Sequence, residues 1–150
     1  KESLESIGVE HFIPVRTVKR DRRGRREEVP EAVIQNLVFL KAEKSDALSL
    51  VNGRGLPLYY IIDRCTRTLL EVPQKQMDDF IRVVTAVPES VCEDAPELHL
   101  GADVCIVRGE LEGVEGKVLL LPNRTYVVVS VGSLLCAKVK IPRSYVREIR

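Results

Sequence analysis

Three glycines spaced four and three residues apart constrain the fold of this chain more than any other feature. They are Gly109, Gly113 and Gly116, within the stretch 101–118, GADVCIVRGELEGVEGKV, and they fall between strand-like apolar runs. Glycine reaches positive φ and lets two backbones approach closely, as strands that bend sharply over one another require. The stretch therefore predicts two strands of a small, tightly bent barrel joined by a glycine-rich loop.

The same stretch resembles the KOW motif, which is found in NusG-type transcription factors and in some ribosomal proteins. The residues that carry the resemblance are Gly101, Val104, Val107, Gly109, Leu111, Gly113, Gly116 and Val118. It implies an SH3-like five-stranded β-barrel, with strands near 103–108, 115–121, 125–131, 134–140 and 145–149. Because such a motif identifies a scaffold, function has to be argued from other surfaces.

The chain has the composition of an ordinary soluble globular protein, with 45% hydrophobic and 30% charged residues among its 150. That length suits one medium domain or two small ones. Its apolar runs, such as VLLLP and YVVVSV, are far shorter than the roughly 20 residues that span a bilayer, and no secretion signal is recognisable. We therefore expect a cytoplasmic protein without membrane contact.

Positive charge is concentrated in residues 16–26, RTVKRDRRGRR, which contain seven basic residues and one acidic residue and so carry a net charge of +6. The whole chain carries only +1, so the remainder carries −5. We expect this basic loop to contact DNA or nascent RNA, because such a patch can neutralise phosphates. The alternative is a solvated hairpin tip with no ligand. The nucleic-acid-binding candidates are Arg20, Arg22, Arg23, Arg25 and Arg26.

Neither a metal site nor a catalytic centre is predicted. The four cysteines, Cys65, Cys92, Cys105 and Cys136, lack the close spacing of zinc ligands and are interpreted as reduced thiols. Cys105 and Cys136 lie in apolar strand patterns, so we expect them in the core. His11 and His99 stand apart from any serine or cysteine arrangement typical of nucleophilic catalysis. No cofactor and no enzymatic activity are expected.

The first half of the chain predicts helices and strands in alternation. A helix ends at Gly8, a strand covers 9–19, and a second, largely apolar strand covers 33–43. A short helix capped by Ser45 and Asp46 ends at Asn52 and Gly53, and 56–63 forms a third strand. Met77, Phe80, Ile81 and Val84 then mark one face of an amphipathic helix over 74–84. Two prolines and four acids in 85–100 indicate an extended linker.

This element order lacks the strand that opens a ferredoxin-like βαββαβ layer, where that strand is central. We therefore expect roughly 15 to 25 further residues upstream, enough for a strand and the start of a helix. The sheet of this segment should be incomplete.

The first half resembles the NusG N-terminal (NGN) domain, in IGVEHFIPV at 7–15, the basic loop, VIQNLVFLKAE at 33–43 and VPQKQMDDFIRVV at 72–84. Within the NusG family the chain is most similar to the UpxY group, paralogues encoded with capsular polysaccharide operons. The implied fold class is α+β in two domains. They are a ferredoxin-like NGN domain at 1–86 that lacks its first strand and a KOW domain at 100–150, joined by a linker at 87–99.

The resemblance implies a transcription elongation or antitermination factor that binds the β′ clamp helices of RNA polymerase. Ile34, Leu37 and Phe39 match the family's polymerase-facing apolar surface. The sequence departs from the family's aromatic, proline, small residue, tyrosine run, because it has Ile34, Gln35, Asn36 and Leu37 there.

Two other functions are compatible with a KOW barrel. A general RNA-binding or ribosome-associated protein would need basic and aromatic residues across the barrel, and Glu110, Glu112 and Glu115 oppose that reading. An adaptor would dock a ribosomal or other protein through exposed apolar residues such as Leu111 or Val114.

The barrel half is predicted to be stable as β-structure, because YVVVSV at 126–131 places four valines in six positions. Branched side chains lose rotamer freedom in helices and suit strands. Circular dichroism of an isolated 97–150 fragment should give a β-type spectrum, and a helical spectrum would contradict the prediction.

Overall fold

The computed structural model describes residues 8–34, 36–53, 59–63, 65–93, 100–132 and 134–149. The fold is α+β, as predicted, with an antiparallel main sheet and two α-helices in the described ranges. The chain forms two compact units, Lys1–Pro14 with Ile34–Glu71 and Val15–Val33 with Val72–Arg150.

The smaller unit contains a short antiparallel strand pair and one helix. Strands β1 (Glu10–Phe12) and β4 (Phe39–Lys41) pair so that Phe12 lies opposite Phe39. Helix α1 (Lys44–Asn52) buries Leu50 and ends at Gly53. The hydroxyl of Tyr60 donates a hydrogen bond to the carbonyl oxygen of Ala47 at 2.5 Å. Burial raises the pKa of Tyr60.

Two predicted strands in this unit are wrong in extent. Among the described residues of 33–43, only Phe39–Lys41 is a strand, because the backbone turns at Asn36, which has a φ of 64°. Asparagine tolerates this left-handed conformation better than most residues. Of 56–63, the described residues 59–63 contribute only a bridge between Ile62 and Leu69.

The predicted helix boundaries also need adjustment. Helix α1 starts two residues earlier than a cap at Ser45 predicts, with Glu43 at its N-cap position and no side-chain capping bond. Ser45 and Asp46 therefore lie inside the helix. The helix predicted to end at Gly8 falls outside the described residues, except for Gly8 itself, which has a φ of 72°.

The larger unit begins with a hairpin of β2 (Val15–Arg22) and β3 (Arg25–Ala32) and continues with helix α2 (Gln74–Ala86). Its main sheet has six antiparallel strands in the order β10-β6-β7-β8-β9-β5. Their bounds are β5 Val91–Glu93, β6 Asp103–Ile106, β7 Glu115–Leu121, β8 Arg124–Val131, β9 Leu135–Lys140 and β10 Val146–Glu148. The five strands predicted between residues 103 and 149 are confirmed, and β5 is an addition.

Strand β5 comes from the stretch predicted to be a linker. A 3₁₀ turn at Pro88–Ser90 leads into it, and Val91 pairs with Ala137 at the edge of the sheet. Val91 is buried, and the pairing continues through Cys92 and Glu93, so three residues attach this segment to β9. Residues 85–93 therefore differ from the extended linker that the composition indicated.

The core of the larger unit lies around β8. Val127, Val129 and Val131 alternate along one face and are buried, while Val128 on the other face packs with Leu119 and Cys136. Helix α2 packs against β8 and β9 and buries Phe80, Val83 and Val84. The predicted amphipathic helix is thus confirmed, and burial of one such side chain contributes about 2 to 3 kcal/mol.

The motif glycines meet the backbone demands that the sequence indicated. Gly109 and Gly113 have φ values of 91° and 93° in the turn between β6 and β7. At Gly116, a Cβ atom would lie 2.5 Å from the carbonyl oxygen of Val128 on the neighbouring strand. A side chain there would force β7 and β8 apart.

A buried carboxylate fixes α2 to that turn. Asp79, whose relative exposure is 3%, receives hydrogen bonds from Lys75 Nζ at 2.8 Å and from the backbone N–H of Glu115 at 3.1 Å. Lys75 also donates to the carbonyl oxygen of Gly113 at 2.8 Å, and Arg82 donates to that of Glu110 at 3.2 Å. This polar clamp joins helix and turn because buried polar groups need partners.

Replacing Asp79 by alanine should lower the free energy of unfolding by about 1 to 3 kcal/mol, since it leaves the N–H of Glu115 without its acceptor. Denaturant unfolding of the full chain measures the effect. Asp78→Ala is the matched control because Asp78 is exposed and accepts a hydrogen bond from Gln74 on the same helix; it should change stability by less than about 0.5 kcal/mol. Equal losses in both variants would contradict the role of the clamp.

Candidate functional site

The predicted basic loop is not a loop but most of a β-hairpin. Strands β2 and β3 pair over their full length from Val15 opposite Ala32 to Arg22 opposite Arg25. A two-residue turn of Arg23 and Gly24, with φ values of 51° and 76°, closes the hairpin. Positive φ at both positions is the type I′ pattern, whose twist matches that of paired strands.

Residues 19–28 of the hairpin are exposed on both faces. Only the base is anchored, where Val18 and Val29 are half-buried opposite one another and Val33 is buried. An isolated two-stranded ribbon is marginally stable in water, so the outer part of the hairpin depends on its ladder and on its charges. At about 3.4 Å per residue, the seven steps from Val15 to Arg22 span roughly 24 Å.

Opposite charges face each other along the stem of this hairpin. The register sets four such pairs, Arg16 with Glu31, Lys19 with Glu28, Arg20 with Glu27, and Asp21 with Arg26. Opposite-charge pairs across an antiparallel ladder are favourable. The acidic partners on β3 lie just beyond the basic run, so the sequence patch of +6 becomes a stem whose charges cancel.

Two of the five predicted nucleic-acid-binding arginines take part in ion pairs. Arg20 donates to Glu31 Oε1 at 3.1 Å, reaching along the strand past the residue opposite it. Arg26 lies 3.7 Å from Asp21 Oδ1. Both pairs are solvent-exposed and contribute little to stability, but each offsets the positive charge that a phosphate would experience.

The remaining three arginines meet at the end of the hairpin. Arg22, Arg23 and Arg25, which we call the tip triad, line an open cavity of about 690 Å³ together with Glu27. The structure thus brings together three of the predicted candidates and assigns the other two to the stem. Glu27 is a residue of this site that the sequence analysis missed, although its position two residues after Arg25 on a strand places both on one face.

The predicted polymerase-binding residues lie in the smaller unit. Ile34 and Leu37 flank the turn at Asn36 and are joined by a hydrogen bond from Leu37 N–H to Ile34 O at 3.4 Å. Phe39 starts β4. All three are half-buried, so each has apolar surface in contact with solvent.

The same unit exposes other large apolar side chains that the sequence analysis assigned to a strand. Tyr59 is 99% exposed, and Ile61 and Ile62 are 43% and 53% exposed. The signal in the sequence is the run YYII at 59–62, whose residues have too few ladder partners to be covered. Apolar residues exposed together are typical of protein-binding surfaces.

The apolar residues of the glycine-bearing motif are buried or half-buried. Val104 and Leu111 are buried, Val107 and Val118 are half-buried, and Gly101 donates its N–H to the carbonyl oxygen of Val118 at 2.7 Å. The adaptor hypothesis is wrong about its contact residues, because Leu111 and Val114 have relative exposures of only 6% and 0%. The turn folds both inward.

Neither described helix has the length and hydropathy of a bilayer-spanning segment; the longer, α2, has 13 residues. Across the described ranges, no three His, Cys, Asp or Glu side chains come together as a metal-binding group. Cys65 and Cys105 are free thiols, the first exposed and the second half-buried. Cys136 is buried, as predicted.

No protein-family model matches this chain, and no curated protein does. Function therefore has to be argued from the motif residues and from the two surfaces described above.

Proposed function

We propose that this chain is a NusG-type transcription elongation and antitermination factor that binds RNA polymerase and promotes processive transcription of a polysaccharide biosynthesis operon. The observation that carries the proposal is the agreement between the KOW-type glycines and the sheet. Gly109 and Gly113 occupy positive φ, and Gly116 lies where two backbones approach. At Gly109 and Gly113 another residue would strain the backbone, and at Gly116 a side chain would collide with the neighbouring strand.

The strand order adds support for an SH3-like barrel in the second half. Strand β10 pairs with β6, so the last of the five strands from 103 to 148 lies beside the first. That pairing is the one a small sheet needs in order to curl toward closure. For the first half, the proposed NGN identity rests on the sequence resemblance, since its described strands form separate pairs and α2 packs against β8 and β9.

The proposed mechanism is binding to the β′ clamp helices through the apolar surface of Ile34, Leu37 and Phe39. A bound protein shifts an equilibrium only through its different affinities for the two states. Tighter binding to the closed clamp disfavours the open, paused polymerase, and elongation then passes pauses and terminators. No covalent chemistry is part of this function.

The polymerase contact is tested at Leu37, which stands where the family carries tyrosine. Leu37→Asp should weaken retention on purified core polymerase at least tenfold, because a charge then faces an apolar contact. Leu37→Tyr should strengthen retention, since tyrosine is enriched among residues that dominate interface energy. Both are measured by sedimentation or surface-based binding of the full chain.

Leu48→Asp is the control for this pair. Leu48 is 37% exposed on α1 of the same unit, so the substitution adds the same charge away from the proposed contact and should leave retention unchanged. Thermal unfolding of all three variants checks their folding. Folded Leu37→Asp protein with normal retention would place the polymerase contact elsewhere.

A general RNA-binding KOW protein is the second candidate, and one observation favours it. Lys138 lies over the ring of Tyr126 at 5.1 Å, and Lys140 lies opposite Tyr126 on the same face of the sheet. Aromatic and basic side chains together can stack bases and hold phosphates. RNA binding that is lost in Tyr126→Ala, in a chain that fails to bind polymerase, would favour this candidate.

A further inference from the structure

We propose that the tip triad is a phosphate-binding fork that holds the backbone of one nucleic-acid segment regardless of its base sequence. In this arrangement the stem of the hairpin is a neutral spacer, and Arg22, Arg23 and Arg25 supply the contacts. The inference rests on the proposed function only for the class of ligand, and it requires no polymerase.

The register at the end of the hairpin is unfavourable without an anion. Arg22 lies directly opposite Arg25, and like charges at facing positions of a ladder repel. Every other charged position of the hairpin faces the opposite sign, so this pair departs from the pattern of the stem. A phosphate between the two guanidinium groups converts the repulsion into two charge-assisted interactions.

The turn residue is a second departure from what stability alone favours. Arg23 has a φ of 51° at the first position of the turn, where asparagine, aspartate or glycine is preferred. Its side chain extends the positive surface beyond the last strand pair. A residue held in a disfavoured conformation at an exposed tip indicates a role for its side chain.

Glu27 sets the affinity of the fork. It lines the cavity with the tip triad, while Arg20, which lies opposite it, bonds to Glu31. Three guanidinium groups and one carboxylate leave a net charge of +2 at the cavity. Such a site attracts a phosphate backbone, and the affinity falls as the salt concentration rises.

The test measures binding of the full chain alone to labelled single-stranded DNA of about 20 nucleotides, to its duplex, and to RNA of equal length. Three phosphate contacts predict that affinity falls roughly 20- to 40-fold between about 50 and 200 mM salt. Arg25→Gln, with two contacts left, should reduce this fall to roughly 7- to 12-fold. Arg23→Asn should reduce the salt dependence to the same extent, and asparagine is a favoured residue at this turn position.

Matched variants distinguish phosphate contacts at the tip triad from a general electrostatic attraction by the whole hairpin. Arg16→Gln removes the same charge from the base of the hairpin and should leave the salt dependence unchanged. Glu27→Gln should raise affinity, whereas Glu28→Gln removes an equal charge from the opposite face of the ladder and should raise it less. Circular dichroism confirms that each variant is folded.

Equal effects of Arg16→Gln and Arg25→Gln, equal effects of Glu27→Gln and Glu28→Gln, or no binding of the parent chain at low salt would overturn the fork. Strong preference for one base sequence would overturn it as well. Polymerase retention is measured separately. A parent chain that is retained on polymerase but does not bind nucleic acid contradicts this inference alone. A parent chain that binds nucleic acid but is not retained on polymerase contradicts the proposed function alone.

Discussion

The larger unit depends on one contact, the packing of helix α2 against strands β8 and β9. Apolar burial of Phe80, Val83 and Val84 supplies the driving force, and it is non-directional. The Asp79 clamp supplies direction, because a carboxylate that accepts from Lys75 and from the backbone of Glu115 fixes the helix against one particular turn. That turn is the glycine-bearing one, so the most distinctive stretch of the sequence is also where the helix is fastened.

The second constraint is electrostatic and acts in the hairpin. A ribbon exposed on both faces from 19 to 28 has no apolar core of its own, and its strands carry many charges of both signs. The antiparallel register stabilises this ribbon by placing opposite charges on facing positions, and it leaves the excess positive charge at the tip. The arrangement concentrates positive charge in three residues where the sequence distributes it over eleven. A small, exposed, basic end is suited to contact with phosphates rather than to packing.

Much of the second half could be predicted because local and global preferences agree there. The strand over 115–121 and the helix over 74–84 follow directly from residue type and periodicity. The first half is harder to predict from sequence, because Asn36 in the left-handed conformation interrupts a run that is apolar enough for a strand. The dense charges of the hairpin predict a solvated loop. The cross-strand pairs that neutralise these charges join residues up to fifteen positions apart, so local sequence does not reveal them. Burial of Leu111 and Val114 depends on how the turn folds, which composition does not reveal. The sequence predicts five candidate arginines together, and only the cross-strand register distinguishes the three at the tip from the two in the stem.

These surfaces support the account proposed above, in which the protein binds the transcription machinery through apolar residues in one unit and nucleic acid through a basic tip in the other. The most direct measurement is co-elution of the purified full chain with bacterial core RNA polymerase, followed by chemical cross-linking. The account predicts a one-to-one complex whose cross-links join the region of Leu37 to the β′ clamp helices. Separate elution at micromolar concentrations, or cross-links confined to other polymerase surfaces, would contradict it.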